Sequence, residues 1–190
     1  MIGLVPKLLV DFIGHEGGEA AARRVLEAAG AAADRHYRLD SPYDDGEVGR
    51  LWSACVSELG LPVGEFERRF AAFFGEDARR RWPAWFRMSP DARSLLLRQP
   101  TIHNSLATGL HDPAERRAVA DKFRLEAPPG AIVVHYRSPH QLCGLYMALA
   151  RWVLDQYGEA ASVEEVACRW QGAGECEIHV RWAAEGAGRG

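Results

Sequence analysis

The sequence predicts an α+β fold, with a helical first half of about residues 1–112 followed by an α/β half of about 113–182. Three observations carry that prediction. Apolar residues recur at three- and four-residue spacing through the first hundred positions. After Pro113 that rhythm gives way to short runs of alternating character, the strongest being AIVVHYRS at 131–138. A long apolar helical segment, 142–157, then separates this run from two further alternating runs, the order expected of an antiparallel sheet wrapped on a helix.

Taken in order, Leu4, Leu8, Leu9, Phe12 and Ile13 fall on one helical face, and Gly17 and Gly18 are expected to end that helix. Residues 19–33, rich in Ala, Glu and Arg, form a second helix with Val25, Leu26 and Ala29 as its apolar stripe. DSPYDDG (40–46) reads as a loop. Asp45 or Gly46 opens a helix bearing Val48, Leu51, Trp52 and Cys55, which LGLP (59–62) breaks. Gly64 to Phe74 follows, striped with Phe66, Phe70, Phe73 and Phe74, and then Trp82, Trp85 and Phe86 gather around Pro83. In SPDARSLLL (89–97), Ser89 is the expected N-cap with Pro90 at the first helical position. Pro100 should kink or restart the helix that runs to His103. Phe123 to Glu126 is a short strand, APPG (127–130) a turn and 131–138 a strand. After the 142–157 helix, 161–170 and 176–182 read as strands joined by Gln171-Gly172-Ala173-Gly174. The last residues, 183–190, have the composition of a disordered tail.

The 190 residues suffice for one domain that can enclose a small-molecule pocket. Lys and Arg number 23 against 26 Asp and Glu, a net charge of −3, so no basic excess is available for a nucleic-acid backbone. No apolar run approaches the roughly 20 residues of a membrane span. The apolar start carries Lys7, Asp11 and His15 and no small-residue cleavage site, so it is not read as a signal peptide. The expected compartment is the cytoplasm, where Cys55, Cys143, Cys168 and Cys176 would be free thiols or metal ligands.

No hydrolase, kinase or dinucleotide motif is present, and no nucleophile–base pair can be read, which argues against an enzyme. The pairs Asp44-Asp45 and Glu164-Glu165 read as solvated charge. His103 lies in the largely apolar segment LLLRQPTIHNSLATGL, on the side of Leu106, Ala107 and Leu110, where it is either a core histidine or a ligand. In HYRSPH (135–140), strand alternation sets Tyr136, Ser138 and His140 on one face. That row is either the polar face of a half-exposed strand or a holder of anionic groups such as carboxylates.

Over roughly residues 1–182 the chain resembles the H-NOX family, the haem nitric oxide/oxygen binding domains related to the haem domain of soluble guanylate cyclase. MIGLVPKLLVDFI is similar to the family's Met-x-Gly start. DDGEVGRLWSACVSELGLPVGEFERRFAAFF and the aromatic stretch RWPAWF resemble its helical region. His103 falls where the family places the proximal histidine on the haem iron. Tyr136 and Ser138 match the first two positions of its Tyr-x-Ser-x-Arg propionate motif. The third position carries His140, which cannot make the bidentate clamp of a guanidinium. The proline that the family sets under the porphyrin has Pro113 as its nearest counterpart, and Pro113 comes early.

The resemblance implies a pocket enclosed between the helical half and the sheet that holds haem b, with iron on His103 and propionates on Tyr136, Ser138 and His140. It implies a non-enzymatic gas sensor in which gas binding weakens the iron–His103 bond and shifts the helix that carries it. Members that hold oxygen stably use a distal tyrosine at a position occupied here by Leu145, next to Tyr146. The expectation is therefore nitric oxide and carbon monoxide rather than oxygen. The expected partner is a separate signalling protein such as a histidine kinase or cyclic-nucleotide enzyme, with neither nucleic acid nor membrane. Some family members hold structural zinc on cysteines in the second half. Here Cys143, Cys168 and Cys176, with Glu165 or His179, could complete a tetrahedral set, serve as a redox-sensing thiol group, or be ordinary buried thiols. Two rivals to the haem sensor remain: a haem-free ligand-binding or interaction module, and a zinc/thiol redox sensor.

Overall fold

The computed structural model describes residues 2–39, 41–140 and 142–183. The predicted tail lies outside these except for Ala183, as does Asp40 of the predicted 40–46 loop. Seven helices come first: α1 (Leu4–Ala28), α2 (Asp45–Leu59), α3 (Val63–Arg81), α4 (Pro83–Arg87), α5 (Ala92–Leu97), α6 (Gln99–Ala107) and α7 (Pro113–Ala120). Strands β1 (Phe123–Glu126) and β2 (Ala131–Tyr136) precede helix α8 (Cys143–Tyr157), and β3 (Ala161–Ala167) and β4 (Cys176–Trp182) close the sheet. The strands form one antiparallel sheet in the order β1-β2-β4-β3. The architecture is thus α+β, with a helical part and a four-stranded sheet. No described helix is long and apolar enough to cross a membrane.

The chain divides into two compact units that are each discontinuous in sequence: Met1–Phe74 with His103–Ala120, and Gly75–Ile102 with Asp121 onward. The division differs from a cut near residue 112, because residues 75–102 fold with the sheet and Pro113 opens another helix, α7, of the first unit.

In the first unit, α1 is broken at Gly18, whose φ of 77° and ψ of 176° interrupt the helix where the glycine pair was expected to end it. Asp44 caps α2 by accepting from the Glu47 N–H at 2.9 Å, and Gly60 ends it at a φ of 60°. Phe12 meets Phe66, Phe70 and Phe73 at centroid separations of 5.5 to 5.8 Å, and Trp52 closes on Phe66 at 5.1 Å. The phenylalanine stripe is therefore core. Gly3 of the Met-x-Gly start has a steric reason. A Cβ there would lie 1.8 Å from the Arg38 carbonyl oxygen, where the Gly3 N–H donates to Ser41.

In the second unit the inward residues Ile132, Val134 and Tyr136 of β2 and Cys176, Ile178 and Val180 of β4 pack with Tyr146, Ala150 and Leu154 of α8. A Cβ on Gly75 would lie 2.5 Å from the Trp152 ring of α8, so α3 approaches α8 closely there. Pro83 starts α4 at its first turn. The cap of α5 is Asp91 rather than Ser89. Asp91 accepts from the Ser94 N–H at 2.6 Å, whereas the Ser89 hydroxyl donates to the Trp85 carbonyl and accepts from Arg98. Two oxygen-bearing residues compete for that cap, and the one nearer the first apolar turn wins. Pro100 lies at the second position of α6, where its missing N–H has no helical acceptor to lose.

Candidate functional site

His103 belongs to the first unit, half-buried on α6. Behind it Ala107 and Leu110 are buried against Val119 of α7, which fixes the C-terminal end of that helical segment. Tyr136, Ser138, His140 and Leu145 belong to the second unit.

Tyr136 is the last residue of β2, paired across the ladder with Cys176, and its ring stacks on Phe123 at 4.8 Å. Its hydroxyl bonds to the Ser138 side chain and to the Leu142 main chain, and burial pushes the phenol up to about 12. Ser138 is 1% exposed, and its Oγ accepts from the His140 N–H at 3.3 Å. Its carbonyl accepts from Arg169 Nη1 at 2.8 Å. Regular alternation does not deliver His140 here. The strand ends at Tyr136, and Pro139 and His140 form a turn that brings the His140 main chain to the Ser138 hydroxyl.

Proton accounting defines what this cluster can bind. Two N–H groups and two O–H groups converge. The hydroxyl oxygens accept the two N–H bonds, and one O–H is used between Tyr136 and Ser138. One hydroxyl proton is left for an outside acceptor. A carboxylate is such an acceptor, and the neighbouring guanidinium favours its charge. The donor set therefore fits the propionate end of a haem.

Leu145 is buried at 4% exposure. Tyr146, beside it, turns its ring to Phe123 at 5.6 Å, and its hydroxyl is buried without a hydrogen-bond partner among the described residues.

A second cluster lies next to the first. Cys143 opens α8, Cys176 opens β4 and Cys168 follows β3. The Cys143 and Cys168 sulfurs are 4.0 Å apart, too far for a disulfide. The three sulfurs and one carboxylate oxygen of Glu165 all lie within 4.8 Å of one another. Glu165 was expected to be solvated beside Glu164. Instead Glu164 pairs outward with Arg181, whereas Glu165 Oε1 is buried without a hydrogen-bond partner. A bulge on β3 is the cause. Glu165 opposes Ile178 and Ala167 opposes Glu177, so Val166 is the extra residue. That insertion lets Glu165 and Cys168, three apart, reach the same inner face. His179, the other sequence candidate, faces the opposite side and pairs with Glu177 and Arg181. Burial first, and Glu165 second, pushes the Cys143 thiol well above its usual range, and burial also raises Cys176. Arg169 and the inward turn of Glu165 were missed in the sequence, since contact across 31 positions and a bulge leave no periodic signal.

A family model described as haem-NO-binding matches residues 2–165. No curated protein matches the chain. Among solved structures, an H-NOX protein from S. oneidensis in the Fe(II) ligation state, a triple mutant, superposes with a TM-score of 0.79 at 20% identity, over 96% of each chain. The H-NOX protein from S. oneidensis in the Fe(II)NO state gives 0.74 at 20% identity, over 96% of this chain and 99% of the other. An oxygen-binding H-NOX domain related to soluble guanylate cyclases, in its oxygen complex, gives 0.73 at 18% identity, over 96% and 95%.

Proposed function

The chain belongs to the haem-NO-binding family, and from that premise we propose that it is a haem-dependent sensor of nitric oxide and carbon monoxide that signals to a separate protein. The family consists of haem-based gas sensors, which are sensor modules rather than enzymes. The bound haem supplies an iron at which a diatomic gas binds. His103 offers that iron a neutral imidazole nitrogen. Tyr136 and Ser138, ordered by the His140 and Leu142 main chains, hold the propionates. The convergence of these donors, with one proton left over, is the observation that carries the reading. Leu145, buried and apolar, gives a bound gas no hydrogen-bond donor, which favours nitric oxide and carbon monoxide over oxygen. The effector is a signalling protein such as a histidine kinase or cyclic-nucleotide enzyme, and the unpaired thiols suit the cytoplasm.

The test is an absorption spectrum of the protein as isolated and after adding haem, then reduced and exposed to nitric oxide. The expected result is a sharp Soret band that shifts with the gas and is lost or altered in His103→Ala. A wild-type spectrum in His103→Ala without added imidazole overturns the ligand assignment. A spectrum like that of free haem favours the haem-free module.

A second reading concerns Cys143, Cys168, Cys176 and Glu165. An inward carboxylate oxygen without a hydrogen-bond partner among three thiols suits a zinc-type cation, which would neutralise it. Without metal, the same thiols form a redox-sensitive group. Metal analysis and thiol titration, before and after chelator, separate these readings.

A further inference from the structure

We propose that Arg169 supplies the guanidinium of the carboxylate cradle at Tyr136 and Ser138, the cation that the motif lacks where His140 stands. The assignment rests on the haem reading.

Arg169 opens the short 3-10 turn Arg169–Gln171, 31 residues beyond Ser138. Two bonds hold it at the cradle. Its main-chain N–H donates to the Cys176 sulfur at 3.4 Å, and Cys176 is the ladder partner of Tyr136. Its Nη1 donates to the Ser138 carbonyl at 2.8 Å. The guanidinium is thus fixed on the residue whose hydroxyl belongs to the cradle.

A guanidinium carries five N–H groups in a planar fork, and the carbonyl takes one. Arg169 forms no ion pair with a described carboxylate, so its charge is not neutralised by one within the fold. Arg137 is nearer in sequence but is exposed and pairs with Glu175 at 3.8 Å, which removes it as the cation. Together, one spare hydroxyl proton and one guanidinium make a charge-assisted site for a carboxylate.

The experiment is an equilibrium titration of the whole protein with ferric haem and with its dimethyl ester, which keeps the porphyrin and iron but removes the negative charges. Arg169→Gln keeps an N–H donor for the Ser138 carbonyl while losing the charge. The expected result is an affinity for free-acid haem about tenfold lower in Arg169→Gln, with affinity for the ester within about twofold of wild type. Arg169→Lys, which keeps a point charge without the fork, should fall between the two. Arg137→Gln should leave both affinities unchanged. Equal weakening for acid and ester in Arg169→Gln would mean that Arg169 only braces the turn, and the proposal fails. It fails equally if the variant discriminates acid from ester as wild type does. Wild-type protein that binds neither form overturns the haem reading and this assignment with it.

Discussion

Cys55 and Cys143 are both buried thiols, and they sit in opposite surroundings. Cys55 lies on α2 in the first unit, where it fills space beside Leu51 and Val48. Burial alone is the main reason its thiol is pushed far above its usual range. Cys143 lies in the second unit with two other sulfurs and a carboxylate at hand. The contrast extends to the whole of each unit. The described buried side-chain atoms that lack a hydrogen-bond partner, Gln99 Oε1, Tyr146 Oη and Glu165 Oε1, all belong to the second unit. A buried unsatisfied polar group costs about 1–3 kcal/mol. The first unit, built on Phe12, Phe66 and Phe70, shows none among the described residues. Apolar packing is the work of one unit, and polar chemistry is concentrated in the other.

The largest expected effect separates the two kinds of sulfur. Cys168→Ala should weaken zinc binding by roughly a hundredfold, because three donors no longer close a tetrahedral set. Cys55→Ala should leave it unchanged and lower stability by about 1 kcal/mol through lost packing. Competition against a chromophoric chelator reads the first, and urea denaturation the second. Equal metal loss in both variants would break the comparison.

A smaller effect concerns an exposed polar group of the second unit. Asp91→Ala should cost about 1 kcal/mol by removing the cap of α5. The Ser94 hydrogen bonds hold the Asp91 carboxyl below its usual value of 3.8. A depressed carboxyl stabilises above its unfolded value and loses that contribution as pH falls through its folded one. The gap between wild type and Asp91→Ala should therefore be full at pH 7 and close below about pH 4. Denaturation curves across that range check it.

The smallest effect sharpens the comparison within the second unit. The Tyr157 hydroxyl donates to the Phe86 and Ser89 carbonyls at 3.3 and 3.1 Å, so Tyr157→Phe should cost about 1 kcal/mol. The Tyr146 hydroxyl has no described acceptor, so in haem-free protein Tyr146→Phe should lie within about 0.5 kcal/mol of wild type or above it. A loss as large as that of Tyr157→Phe would show that Tyr146 is satisfied.

Much of the fold was legible because it is local. The Phe66, Phe70, Phe73 and Phe74 stripe, the break at Gly18, the restart at Pro100 and the alternation of 131–136 are written in neighbouring residues. The long helix α8 followed from its unbroken apolar run. The α5 cap was misplaced by two residues, because Ser89 and Asp91 both carry cap chemistry and only packing chooses between them.

The sequence by itself determined the α+β class, the family resemblance and the candidate set of His103, Tyr136, Ser138 and the three cysteines, since each depends on residue type, order and spacing. The tertiary structure alone decided that Glu165 turns inward and His179 outward, because a single inserted residue at Val166 inverts the facing of everything after it. It alone brought Arg169 to Ser138, because antiparallel pairing joins residues by register rather than by distance along the chain.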